Sequence, residues 1–199
     1  MADVVVPRID GRTARAERTR NAIVEAHLAL IGEGDLKPTG ERIADRAGVS
    51  LRALWANFKD MEALFRASGE RLSERQDAEY VPVPVTLPLA GRIDEFCRQR
   101  ARILELIAPS ARAAQLLEPF SAQLRSNRAS TINRVQREIN ELFAPELEAA
   151  ASARDQLFES LTVASTWAAW SMMRDELHLS MEESTGVMIR TITALLATA

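Results

Sequence analysis

The chain has 199 residues, 47% of them hydrophobic and 27% charged, with a formal net charge of −3 and one cysteine. That length and apolar content suffice for a sizeable core, in one domain or two small ones. The lone Cys97 excludes an internal disulfide, fits a reducing compartment, and reads as a small buried apolar residue. Ala, Leu, Glu, Arg and Met dominate, and no β-branched run alternates with polar residues, so the expected fold class is all-α. The longest apolar stretch, 161–173, is interrupted by Thr162, Ser165, Thr166 and Ser171 and is too short to cross a bilayer. The opening residues are too short and too acidic for a secretory signal. A cytoplasmic protein with no membrane partner is expected.

Charge is unevenly distributed. Arg8, Arg12, Arg15, Arg18 and Arg20 are opposed locally only by Asp10 and Glu17, whereas the stretch from Glu138 to Glu183 is acidic. Cationic surface is therefore expected at the N-terminal end alone, and distribution matters more than net charge for a nucleic-acid partner.

Residues 1–11 read as the flexible start of a basic arm. A helix is predicted over 13–31, with Ile23, Ala26, Leu30 and Ile31 as its apolar stripe and Gly32 and Gly34 as its stop. Thr39 is placed to cap the next helix, which ends at Ala47-Gly48, where glycine accommodates positive φ. Ser50 caps a short helix running to Asn57. Ile43, Ala47 and Val49 point inward, Ala44 permits a close crossing, and Leu54 and Phe58 anchor one face of the second helix. Leu51, Arg52, Trp55, Ala56 and Asn57 are left on faces that need no burial. This is the spacing of a helix-turn-helix. A further helix runs from Asp60 to about residue 79, with Met61, Leu64, Phe65 and Leu72 inward. The division expected is 12–59 for the three-helix unit, 60–80 for a connecting helix and 81–199 for a second helical domain.

The prolines of 80–88 forbid a helix and predict a linker loop. Beyond it, helices are predicted over 89–108, ended by Pro109; over 110–117, capped by Ser110; and over 120–143. Two last helices are predicted over 151–177 and 180–198, the final one opened by the capping box Ser180-Met181-Glu182-Glu183.

Residues 12–72 resemble the DNA-binding domain of the TetR family of bacterial transcriptional regulators. The match rests on the basic arm, Ile23-Val24-Glu25-Ala26, a glycine break, Thr39 through Ile43-Ala44, Ala47-Gly48-Val49-Ser50, Trp55-x-x-Phe58 and Glu62-Ala63-Leu64, about a third of the chain. Three positions depart from the family pattern. Trp55 stands where tyrosine is common, Met61 where a phosphate-touching lysine is common, and Ala53 where threonine, serine or asparagine is frequent. Lys59 offers a substitute cation.

The resemblance implies a ligand-responsive regulator, a repressor by the family's habit. It would bind a pseudo-palindromic double-stranded operator as a homodimer and be released by a small, largely apolar effector. An activator, or a constitutive binder without an effector, remains the alternative. The expected DNA contacts are Arg12, Arg15, Thr39, Ser50, Leu51, Arg52, Trp55, Asn57 and Lys59. Arg52 is the side chain of the short helix able to pair bidentately with guanine, its alternative role being a surface ion pair with an acid. Leu51 can meet a thymine methyl, Asn57 can read adenine or donate to phosphate, and Trp55 divides between packing and phosphate contact. The effector pocket is expected at Phe96, Leu104, Phe120, Leu124, Trp167, Trp170 and Met173, with no ionic recognition group identified. The dimer interface is expected at Leu157, Leu161, Ala164 and Ala168 together with Met181, Met188, Ile192 and Leu195, in a four-helix bundle with its copy.

An enzyme is disfavoured. His27 and His178 lie far apart, no His/Cys cluster has metal spacing, no Gly-rich phosphate loop is present, and Glu182-Glu183 reads as helix N-terminal charge. No catalytic residue, metal or cofactor is expected. A purely protein-binding scaffold would explain the bundle but not the conjunction of arm, turn glycine and short helix.

Overall fold

In a computed structural model, which describes residues 11–197, the chain begins with α1 (Gly11–Gly32). The expected arm over 1–10 and the side chain of Arg12 lie outside the described residues. The apolar positions of α1 recur at helical spacing, and Ile23, Ala26, Leu30 and Ile31 are all buried. Gly34, at φ +95°, turns the chain out of the helix in a conformation that side chains rarely adopt. α2 (Gly40–Ala47) is capped by Thr39, whose hydroxyl accepts from the Arg42 N–H at 3.3 Å, and it ends at Gly48 with φ 66°. α3 (Leu51–Asn57) is capped by Ser50, whose hydroxyl accepts from the Ala53 N–H at 3.1 Å. α4 (Met61–Glu79) is capped by Asp60, which accepts from the Ala63 N–H at 2.8 Å. Ile23, Ile43, Ala44, Leu54, Phe58 and Leu64 close one hydrophobic cluster, with Ala47 and Val49 half-buried against it.

After the proline loop come α5 (Leu89–Leu117), α6 (Ala122–Leu142), α7 (Ala144–Ala149), α8 (Arg154–Ala164), α9 (Trp167–Ser171) and α10 (Met181–Leu196). A single π turn, Met172–Glu176, extends α9, and the Ser180/Glu183 capping box opens α10. The second cluster gathers Phe96, Leu104, Ile139, Phe143, Leu161, Trp170 and Ile192. Phe96 and Phe143 meet edge to face with ring centres 5.5 Å apart. Arg92 reaches from α5 to Glu146 of α7 at 2.5 Å and holds that carboxylate below its usual pKa. Cys97 is buried here, and burial pushes its thiol up to about 12. Among the described residues there is no strand, and no helix is long and apolar enough to cross a membrane.

Three elements differ from expectation. α5 runs straight through Pro109 instead of ending there, so Ser110 caps nothing. The proline removes one backbone hydrogen bond, but Ile107, Ala108 and Ala113 on either side are buried, and their packing outweighs the loss. The short helix α7 sits in a stretch assigned no element, with Pro145 in its first turn, where no N–H is needed. The helix expected over 151–177 is broken at Ser165-Thr166. There the hydroxyls of Thr162, Ser165 and Thr166 bond to the carbonyls of Phe158, Leu161 and Val163 at 2.8, 2.7 and 3.0 Å and compete with the helical ladder.

α4 belongs to both halves. Its Leu64 and Ala67 pack in the first cluster. Its Ser68 meets His27 of α1 at 2.8 Å. On the other side, Asn127 of α6 donates to the Phe65 carbonyl at 3.0 Å, and Glu62 accepts from the Gln123 N–H at 2.9 Å.

Candidate functional site

α3 buries Leu54 completely and turns Leu51, Arg52, Trp55 and Ala56 outward. Leu51 and Trp55 are each 39% exposed, unusual for large apolar residues on so short a helix. Arg52 makes no ion pair or hydrogen bond among the described residues, so its expected alternative role as a paired surface arginine has no acid to support it. On α2, Arg42 pairs with Asp35 at 2.7 Å and Arg46 makes a two-pronged bond to Glu33. Arg15, Thr39 and Ser50 are exposed, and Lys59 is exposed with its ammonium 3.8 Å from Asp60.

Asn57 is half-buried, and its amide donates one N–H to the Ala53 carbonyl at 2.8 Å, which leaves its second N–H and its carbonyl oxygen. Two residues outside the expected contact set position this surface. Arg20 lies 4.2 Å over the Phe58 ring and donates to the Asn57 carbonyl at 3.0 Å, fastening the end of α3 to α1. Gly40 gives room to the Trp55 ring, because a Cβ added there would lie 2.7 Å from Trp55 Cζ2.

Behind this surface a cavity of about 1170 Å³ runs between α4, α5, α6 and the α8–α9 junction and reaches Thr39, Gly40 and Trp55. Of the expected pocket residues, Leu124 and Trp167 line it. The other five do not. Phe96, Leu104, Trp170 and Met173 are buried in the second cluster, where Trp170 also donates to Glu105 at 2.8 Å. Phe120 is 87% exposed because the chain turns out of α5 just before it. The lining instead includes Leu72 and Gln76 of α4, Arg100 and Ile107 of α5, Thr131 and Val135 of α6, and Thr162 and Thr166 beside the break.

Three side chains that line the cavity carry buried polar atoms without a hydrogen-bond partner among the described residues, namely Gln76 Oε1, Arg100 Nε and Trp167 Nε1. Arg100 is 1% exposed, and its Nη2 donates at 3.1 Å to the Ser165 carbonyl freed by the helix break. Burial pulls the Arg100 pKa down while Glu138 nearby opposes this; Glu138 itself is pushed up, chiefly by burial. Sequence held one signal for Arg100. It shares the inward spacing of Phe96, Cys97, Leu104 and Ile107 on α5, all of them buried.

The expected dimer stripe is mostly internal. Leu157, Leu161, Met188 and Ile192 are buried in the second cluster, because α10 lies across both α5 and α8 and uses its most apolar stripe there. Ala164 and Leu195 are half-buried against it, while Ala168 and Met181 are exposed. On α10, Gly186, Val187, Thr191 and Ala194 are exposed, and Val163 of α8, also exposed, lies on the cavity wall. No family model matches the chain, and no curated protein matches it.

Proposed function

We propose that the chain is a DNA-binding transcriptional regulator of the TetR type, acting as a ligand-released repressor. The observation that carries this reading is the α2–α3 pair. Two short, side-chain-capped helices join through a left-handed glycine, and the outer face of the second presents an unpaired arginine among exposed apolar residues. Such a unit is a helix-turn-helix, with α3 as the element that enters the major groove. Arg52 reads a guanine edge, Leu51 meets a thymine methyl, and Ser50, Thr39 and Lys59 take phosphate together with Arg15 of the basic arm. Arg12 extends that arm. Asn57 steadies the helix with one N–H and keeps the other for phosphate or adenine.

One such unit buries little surface and binds weakly. Two copies joined through the exposed face of α10 around Gly186, Val187 and Ala194 would present two α3 helices to half-sites about 34–36 Å apart. Small residues on that face let helices approach closely. The resident effector occupies the cavity. Because α4 is at once a wall of the cavity and part of the core beneath α3, a ligand that prefers one setting of α4 changes the spacing of the two α3 helices. The cavity favours this reading over a binder with no effector.

Fluorescence anisotropy with labelled random duplex tests the first step. A DNA binder loses affinity steeply as salt rises, through counterion release. A flat salt response, or no binding at low salt, would overturn the proposal.

A further inference from the structure

The cavity wall is mostly apolar surface, interrupted by polar side chains from several helices. Leu72, Ile107, Leu124 and Val135 supply apolar wall from α4, α5 and α6. Against it stands Arg100, fully interior, with only Nη2 of its guanidinium bonded among the described residues and Nε without a partner. A buried guanidinium left with unused donors is costly unless something accepts from it. Among the described residues no carboxylate does so: Glu138 lies near enough to be felt but makes no ion pair with Arg100, and its oxygen accepts instead from Gln99 Nε2 at 3.1 Å. Of the other cations on the lining, Arg134 pairs with Asp77, Arg128 pairs with Glu118, and Lys37 and Arg66 are exposed. Trp167 adds a second sealed donor without an acceptor.

We propose that the cavity takes an amphipathic organic acid, its carboxylate seated on Arg100 and its apolar body lying along Leu72, Ile107, Leu124 and Val135. This deepens the effector reading above and rests on it for any link to DNA. Four points select a carboxylate. The planar fork of a guanidinium matches two coplanar oxygens. Arg100 is the one fully buried cation of the lining among the described residues, and one guanidinium balances one negative charge. The buried Glu138 close by opposes a dianion. The other sealed donor, the Trp167 indole, is neutral, and Gln76 Oε1 can accept from a hydroxyl on the ligand. The Thr162 and Thr166 hydroxyls now donate to backbone carbonyls, and their oxygens retain acceptor capacity.

Titration calorimetry on the full chain tests the assignment with two probe series: decanoate, decanol and decylamine, and naphthylacetate with its matched alcohol and amine. In at least one series the acid is expected to bind at least about tenfold tighter than the alcohol, as a buried charge-assisted pair requires, and the amine to bind weakest. Arg100→Met is expected to bring the acid down to the alcohol's affinity while leaving the alcohol unchanged. Should that variant not fold, the ratio of acid to alcohol on the unaltered chain decides alone. Equal binding of acid and alcohol, preference for the amine, binding by no probe, or acid selectivity retained in Arg100→Met would each overturn the assignment. Duplex binding is measured on the same samples. Acid selectivity without any DNA binding sinks the regulator reading and supports the site, whereas DNA binding with no acid selectivity sinks the site and leaves the regulator.

Discussion

The core beneath α3 is closely packed, built from Ile23, Ile43, Leu54, Phe58 and Leu64, while the space between α4, α5, α6 and the α8–α9 junction stays open beside Arg100, Gln76 and Trp167. The first region gives α3 one position. The second keeps polar atoms unpaired and volume unfilled, at a cost in stability that a bound molecule would recover. A rigid presenting surface and an incomplete interior are joined by α4, which serves both.

The contrast in packing is the easiest part to break. Leu54→Ala is expected to cost about 2–5 kcal/mol in urea unfolding, because it empties a filled site, whereas Leu124→Ala, on an open wall, costs about 1 kcal/mol or less. Comparable losses at both positions would mean that the cavity is not open space.

The joint between α1 and α4 carries a pH signature. Burial lowers the pKa of His27 from 6.5 to about 4. The native state therefore resists protonation that the unfolded chain accepts. Stability is complete above the ordinary histidine pKa and falls as pH drops from about 6.5 to about 4, by about 3 kcal/mol in all. Denaturation midpoints across that window should show the fall, and His27→Gln should flatten it. An unchanged slope in the variant would assign the effect to other groups.

At the α4–α6 contact, a Cβ on Gly69 would lie 2.5 Å from Asn127 Nδ2. Gly69→Ala is expected to displace Asn127 from the Phe65 carbonyl and cost about 1–3 kcal/mol. If α4 couples the two regions, the same variant alters duplex affinity although it touches no α3 residue. A stability loss with duplex affinity unmoved would uncouple them. The subtlest effect concerns Arg52→Ala, expected to cost about 1–3 kcal/mol at a single base position in each half-site, measured by competition with singly substituted duplexes. Uniform weakening on every sequence would make Arg52 a phosphate contact.

The two regions also differ in how much of them could be read from residues alone. Thr39, Gly48, Ser50, Asp60 and Ser180 act within three or four positions of themselves, so their caps and turns were legible and the first four helices fall where expected. Pro109 and the stretch around Ser165 were misjudged because their outcome depends on partners far along the chain. Packing on both sides keeps α5 whole, and Arg100 satisfies the carbonyl that the break exposes. The candidate DNA surface needed only helical spacing, apart from the turn of one Asn57 N–H back onto Ala53. The cavity needed more. Side-chain size pointed to Phe96, Leu104, Trp170 and Met173, but size does not say which way a residue faces, and these four fill the neighbouring core.

The most direct measurement is selection of bound fragments from a random double-stranded DNA pool with the full chain. The account predicts enrichment of an inverted repeat whose half-sites are centred about one helical turn apart, occupied by two copies. A pool that enriches no sequence, or a single unrepeated site bound by one copy, would contradict it.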